Sequence, residues 1–228
     1  MSMILIFDLD DTLYVERTYV QSGFRAVAAW GERRFGWPAE QSYGSMLETL
    51  DREGRGAVFD EWLAAHGRRS ATLVAEAVRT YRQHEPDIQL APEAAELLRR
   101  YRRWPLYLVT DGHKLVQLRK VQALAIEPLF RKVFITHRYG IANAKPSTLC
   151  FERIRSRERC DWRDMVYIGD NPAKDFVNLR PLGMRTVRVL TGEHKNRPAS
   201  ESQEAEFRIA SLTDLPPLIE LFQADKLG

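Results

Sequence analysis

Five short apolar runs limit what this chain can fold into: Met3–Phe7, Leu106–Thr110, Val133–Thr136, Met165–Gly169 and Thr186–Leu190. A weaker sixth lies at Phe207–Ala210. Each is too short for a typical helix and too continuously apolar for a strand wetted on one face. Runs of this kind belong to strands covered on both sides in a parallel sheet. From the second run onward, stretches of helical character separate them. Pro92–Tyr101 places Ala94, Leu97, Leu98 and Tyr101 on one helical face, and Lys114–Ala125 and Leu149–Arg157 read similarly. Strand and helix alternating in this way predict a doubly wound α/β fold.

One interval breaks the rhythm. Between the first run and Leu106 there is no strand pattern. Glu16–Arg34, Ala39–Arg52, Ala57–His66 and Ser70–His84 read instead as amphipathic helices, punctuated by Gly36-Trp37-Pro38, Gly54-Arg55-Gly56 and Gly67. A structureless loop of that length is implausible in a compact domain. Residues 15–87 are therefore predicted to form an inserted all-helical subdomain, with 1–14 and 88–228 as the α/β core. Trp30, Trp37 and Trp62 are expected to fill the small core of the insertion. Gly192–Glu206, polar and helix-poor, reads as a mobile surface loop.

Composition narrows the class. A chain of 228 residues suits one core with a modest insertion. No apolar run approaches the roughly 18 residues of a membrane span, and the start MSMILIFDLDDT lacks a signal-peptide layout. The expectation is a cytoplasmic protein with no membrane partner. The formal charge is only +3, and the Arg pairs (Arg33-Arg34, Arg68-Arg69, Arg99-Arg100, Arg102-Arg103) are scattered. They read as solvated helix faces rather than a nucleic-acid surface. Cys150 and Cys160 have no zinc-ligand spacing. They read as buried thiols, with a disulfide as the other reading. Oligomeric state has no signature here.

In an open parallel sheet, ligands gather outside the carboxyl ends of the strands. After the first run come Asp8, Asp10 and Thr12; after the second, Thr110, Asp111 and Gly112. Lys145-Pro146 follows the third at some distance, and the fourth ends in Gly169-Asp170 with Asp175 five residues on. Carboxylates from two strands can jointly hold a hard cation such as Mg²⁺. A carboxylate can also attack phosphorus as a nucleophile. A second one two residues later points the same way along an extended backbone, where it could hand over a proton. Thr110, the amides near Gly112 and Lys145 could hold phosphate oxygens. Taken singly, each motif has a plainer reading: an N-cap cluster at Asp10-Asp11-Thr12, and turns at Thr110-Asp111-Gly112 and Gly169-Asp170-Asn171-Pro172. Those readings do not explain why all four fall at successive strand ends.

On these motifs the sequence resembles the haloacid dehalogenase (HAD) superfamily. Its DxDx[TV] motif stands as Asp8-Leu9-Asp10-Asp11-Thr12, and its Thr or Ser as Thr110. Its Lys stands as Lys145, and its GDxxxxD pair as Asp170 and Asp175. The resemblance runs from Met3 to about Leu190, and the helical insertion looks like the family's C1 cap. It implies that Asp8 attacks phosphorus to form an aspartyl-phosphate and that Asp10 shuttles the proton. It also implies Mg²⁺ held by Asp8, the Asp10 carbonyl, Asp170 and Asp175, with Thr110 and Lys145 orienting the phosphoryl group.

Asp10 points away from the family's dehalogenase branch, in which halide leaves without protonation. The absence of lysine from the predicted cap points away from phosphonatases that use a cap Schiff base. The expected activity is a Mg²⁺-dependent phosphatase acting on a small phosphomonoester, either a sugar phosphate or a nucleoside monophosphate. A phosphomutase and a non-catalytic phosphometabolite-binding protein are the alternatives. Asp111, Gly112, Arg17 and Arg25 are the candidate substrate contacts, with Tyr14, Glu16, Tyr19 and Ser22 as further entrance residues, and His113 and Lys114 after the second motif. Asp11 points the other way and reads as structural.

Overall fold

The apolar runs form six parallel strands: β1 (Ile4–Phe7), β2 (Leu106–Thr110), β3 (Lys132–Ile135), β4 (Met165–Gly169), β5 (Arg185–Val189) and β6 (Phe207–Ile209). They appear in a computed structural model that describes residues 3–225. The sheet order is β3-β2-β1-β4-β5-β6, so β1 lies between β2 and β4. Phe7 is in register with Leu108 on one side and Ile168 on the other, which brings three strand ends to one level. Every residue of β1, β2 and β4 is buried, as expected for strands covered on both faces. Ile4 and Ile6 pack with Tyr107, Val109, Met165 and Tyr167 in one apolar cluster, to which Cys150, Phe151, Ile154 and Phe176 also belong.

Two compact units divide the chain: one runs up to Glu16 and resumes at Gln89, and the other is Arg17–Ile88. The four helices predicted before Leu106 are present as α1 (Glu16–Phe35), α2 (Ala39–Glu53), α3 (Val58–Ala65) and α4 (Ala71–Gln83). The Ser70 hydroxyl caps α4 by accepting from the Leu73 amide. Trp62 is fully buried in the helical unit, with the partly buried Trp30 and Trp37 packed against it. The sheet unit carries α5 (Pro92–Arg100), α6 (Lys114–Ala123), α7 (Leu149–Glu158) and α8 (Leu215–Asp225).

Two expectations need correction. The crossover from β4 to β5 has no α-helix, only turns and a short 3₁₀ segment at Arg180–Leu182. Pro172, Pro181 and Gly183 punctuate this stretch, and proline cannot donate to a helical ladder. The loop after β5 is also more constrained than its polarity suggests. The buried Arg188 guanidinium donates to the carbonyls of His194 and Arg197 and to Glu204, at 2.7–2.8 Å. Both cysteines are free thiols, Cys150 buried and Cys160 partly so. No described helix is long and apolar enough to cross a membrane.

Candidate active site

Asp8 follows β1 directly, and its backbone amide donates to the Ile168 carbonyl at 2.8 Å. The strand pairing thus continues past Phe7 and places the Asp8 side chain beside the end of β4, from which Asp170 emerges. Asp8, Asp170 and Asp175 are all buried, and each offers a carboxylate oxygen within 4.8 Å of the others. The Lys145 ammonium stands among them, 2.9 Å from Asp8 Oδ1 and 2.7 Å from Asp175 Oδ1. It also donates to the Tyr167 hydroxyl at 2.8 Å. Asp175 is fixed from its other oxygen, Oδ2, which accepts from the Asn171 amide at 2.9 Å. Gly169 makes room for it, because a Cβ there would lie 2.7 Å from Asp175 Oδ2.

The electrostatics follow from this crowding. Burial pushes the Asp8 carboxyl up to about 6, with Lys145 opposing and Asp175 reinforcing. Burial, then Asp8 and Asp175, push Asp170 up to about 9. Lys145 bridges two of the three acids, whereas Asp170 has no hydrogen-bond or ion-pair partner among the described residues. A buried carboxylate is costly without a compensating charge. Three oxygen donors converging on one point, one of them unpaired, fit a hard divalent cation, which takes carboxylate oxygens and retains water. This triad could hold a metal ion.

Asp10 faces a different set of partners. Its Oδ1 accepts from Tyr14 Oη at 2.5 Å and from Lys120 Nζ at 2.6 Å. Its Oδ2 accepts from Gln117 Nε2 at 2.7 Å. Gln117 Nε2 also lies 2.5 Å from Thr110 Oγ1, so the glutamine joins the first motif to the second. Because Thr110 Oγ1 accepts there, its hydroxyl proton is available to another oxygen. Gly112, with φ of 136°, lets the chain turn from β2 toward α6 at a backbone angle that other residues rarely adopt.

Asp111 supports the third motif. Its Oδ1 accepts from Thr136 Oγ1 at 2.5 Å and from the Lys145 amide at 3.1 Å, while Lys174 Nζ lies 3.6 Å from Oδ2. Burial alone would raise this carboxyl, but Thr136 and the positive charges of Lys174 and Lys145 outweigh burial and hold it low. Asp11 adopts a left-handed backbone (φ 53°) and turns its carboxylate away from these groups. Oδ1 accepts from the Glu16 amide at 2.8 Å, satisfying a free donor at the start of α1. Oδ2 accepts from the Glu193 amide at 3.1 Å, and the Thr191 hydroxyl donates to the Asp11 carbonyl. Gly192 lies against Asp11 so closely that a Cβ would stand 2.0 Å from its Cγ.

Of the residues singled out in the sequence, Asp8, Lys145, Asp170 and Asp175 meet directly, and Asp10 and Thr110 meet through Gln117. Asp111 contacts the Lys145 backbone, and Gly112 lies near the Gln117 side chain. Arg17 and Arg25 have partners inside the helical unit. Arg17 makes two hydrogen bonds to Asp51, at 2.8 and 3.0 Å, and Arg25 stacks over the Tyr43 ring. Tyr14, read as an entrance residue, is instead buried on Asp10. Lys120, Gln117 and Tyr167 escaped the sequence reading. Gln117 and Lys120 fall one turn apart on α6, a spacing that places two polar groups on one helix face. Tyr167 is hidden in an otherwise apolar strand, where only its hydroxyl distinguishes it.

Comparison with known proteins bears on the family and the fold. The profile of the haloacid dehalogenase-like hydrolases matches residues 3–177, and a related HAD-hydrolase-like profile matches 142–215. The glyceraldehyde 3-phosphate phosphatase of Methanocaldococcus jannaschii is 27% identical over 97% of this chain and 98% of its own. The protein of the same name from Pyrococcus furiosus is 24% identical over 97% and 93%. Among solved structures, YfnB of Bacillus subtilis, described as a HAD-hydrolase bound to magnesium, superposes with a TM-score of 0.69 at 17% identity. That match covers 96% of this chain and 98% of YfnB. The 2-haloacid dehalogenase of Pseudomonas syringae superposes with a TM-score of 0.66 at 21% identity, over 97% and 100%. With the first of those profiles spanning most of its length, the chain belongs to the haloacid dehalogenase-like hydrolase family.

Proposed function

We propose that this protein is a Mg²⁺-dependent phosphatase acting on a small sugar phosphate of the triose class. The observation that carries this reading is the buried Asp8 carboxylate, 2.9 Å from Lys145 and grouped with Asp170 and Asp175. The relatives named glyceraldehyde 3-phosphate phosphatases, aligned over nearly their whole length, support the choice of substrate. The helical unit Arg17–Ile88 is read as the family's C1-type cap.

In the proposed reaction an Asp8 oxygen attacks phosphorus as the bond to the substrate's alcohol oxygen breaks. Asp10 gives its proton to that departing oxygen. Water then attacks the aspartyl-phosphate, losing a proton to Asp10, and inorganic phosphate leaves with Asp8 restored. Lys145 and the Thr110 hydroxyl face the phosphoryl oxygens. Asp111 and Tyr167 position Lys145 from its backbone and its ammonium. Asp8, the Asp10 carbonyl, Asp170 and Asp175 would hold the metal, with Asp175 direct or one shell out. Bound Mg²⁺ would neutralise charge on the phosphoryl oxygens.

The test is hydrolysis of glyceraldehyde 3-phosphate beside a panel of sugar phosphates and nucleoside monophosphates, with Mg²⁺ or with EDTA. Phosphate release that needs Mg²⁺, favours trioses and vanishes in Asp8→Asn is the expected result. Wild-type rates in Asp8→Asn would show that another group is the nucleophile. Phosphate shifted to a new position on the substrate, with none released, would identify a mutase.

A further inference from the structure

α6 directs two side chains at one carboxylate. Lys120 Nζ lies 2.6 Å from Asp10 Oδ1 and 3.2 Å from Glu16 Oε1, and the lysine side chain is only 3% exposed. Gln117 reaches Asp10 Oδ2 and Thr110 Oγ1 from the preceding turn. Lysine is almost never buried unless paired, because removing its charge from water is expensive. The Asp10 and Glu16 carboxylates supply the opposite charges against which this ammonium is buried. Lys120 belongs to none of the four strand-end motifs, and the chemistry above gives it no task. Its burial on Asp10 therefore needs a reason.

We propose that Lys120 is a positioning residue for Asp10. Together with Gln117 it fixes the plane of that carboxyl group, so that proton transfer to the departing alcohol oxygen occurs from one geometry. A general acid must reach its target within about 2.6–3.2 Å, and a carboxyl free to rotate about its terminal bond meets that condition only part of the time. Lys120 contributes direction: it holds Oδ1 while Gln117 holds Oδ2, so the carboxyl group cannot turn about its terminal bond. Gln117 extends the same constraint to Thr110, linking the orientation of the acid to a group facing the phosphoryl oxygens. This inference rests on the phosphatase reading.

The experiment compares two substrates with Mg²⁺ present: 4-nitrophenyl phosphate, whose leaving group needs little protonation, and glycerol phosphate, whose alkoxide needs a proton. In Lys120→Met, kcat for glycerol phosphate should fall about 100-fold, while 4-nitrophenyl phosphate loses less than about tenfold. Equal losses on the two would overturn the positioning role, since a merely structural defect does not distinguish leaving groups. Thermal melting reports whether the variant folds. Should it fail to, Gln117→Met decides the matter, and the same selective loss is expected. Wild-type glycerol phosphate turnover in Gln117→Met would overturn the inference. A wild-type protein inert toward both substrates and toward glyceraldehyde 3-phosphate would sink the phosphatase reading itself, an outcome distinct from either.

Discussion

Lys145 Nζ and Asp175 Oδ1 stand 2.7 Å apart with both side chains sealed from solvent, and the same ammonium reaches Asp8 at 2.9 Å. Removing one member of a buried ion pair strands the other in low dielectric, at a cost of about 3–5 kcal/mol. Lys145→Met should therefore lower unfolding free energy by about that amount in urea titrations at neutral pH in EDTA. Tyr167→Phe removes only a hydroxyl from the same group and should cost about 1–3 kcal/mol. A Lys145→Met protein as stable as wild type would mean that the acids find another counter-charge.

Metal-free stability should fall as pH rises. The folded state holds Asp8 at about 6 and Asp170 at about 9, both above the ordinary 3.8. A carboxyl with a raised folded value favours the fold while protonated. Its contribution is complete below the ordinary value and is lost as pH climbs through the folded one. In EDTA the melting temperature should decline between about pH 4 and pH 9. Mg²⁺ at saturating concentration should flatten that decline, because a ligand that binds only the folded state stabilises it. A flat EDTA profile would contradict the crowding of the three acids.

Gly169→Ala should act on the proposed metal site from behind. Its Cβ would press on Asp175 Oδ2 at 2.7 Å, displacing the carboxylate from the Asn171 amide. Disturbing the support of a metal ligand typically costs 10- to 100-fold in affinity, and about that loss is expected for Mg²⁺ by calorimetry. Unaltered Mg²⁺ affinity would indicate that Asp175 does not help hold the ion.

Gly192→Ala tests the contact between the loop after β5 and the first motif. The new methyl would overlap Asp11, and the backbone there has a φ of +59°. Overpacking of this kind costs about 1–3 kcal/mol, to be read by denaturant titration. Asp11→Ala should lose less, about 0.5–2 kcal/mol, as other caps do.

The sequence announced the sheet because strands buried on both faces must be apolar without interruption, and chains rarely carry such runs for other reasons. The acids at the strand ends were legible because charge directly after such a run needs a purpose. What stayed hidden depends on contacts across the fold. Lys120 and Gln117 look like ordinary polar positions until α6 is docked beside the first motif. The partners of Arg17 and Arg25 were equally hidden, because nothing in the sequence pairs Arg17 with Asp51 or Arg25 with Tyr43. The missing helix between β4 and β5 was signalled by Pro172, Pro181 and Gly183, but the regular alternation elsewhere masked it. Polarity misled at Gly192–Glu206, where the anchor is a buried arginine on a neighbouring strand.

Asp11 is shared by two amides far apart in the chain, those of Glu16 and Glu193. Glu16 and the loop beyond β5 are therefore tied to one carboxylate and cannot drift independently. Among natural variants of this fold, changes at the two places should arrive together. A loop transplanted from a relative without its matching first motif should leave an amide unsatisfied at the entrance to α1. Grafts that carry both pieces should be the ones that fold.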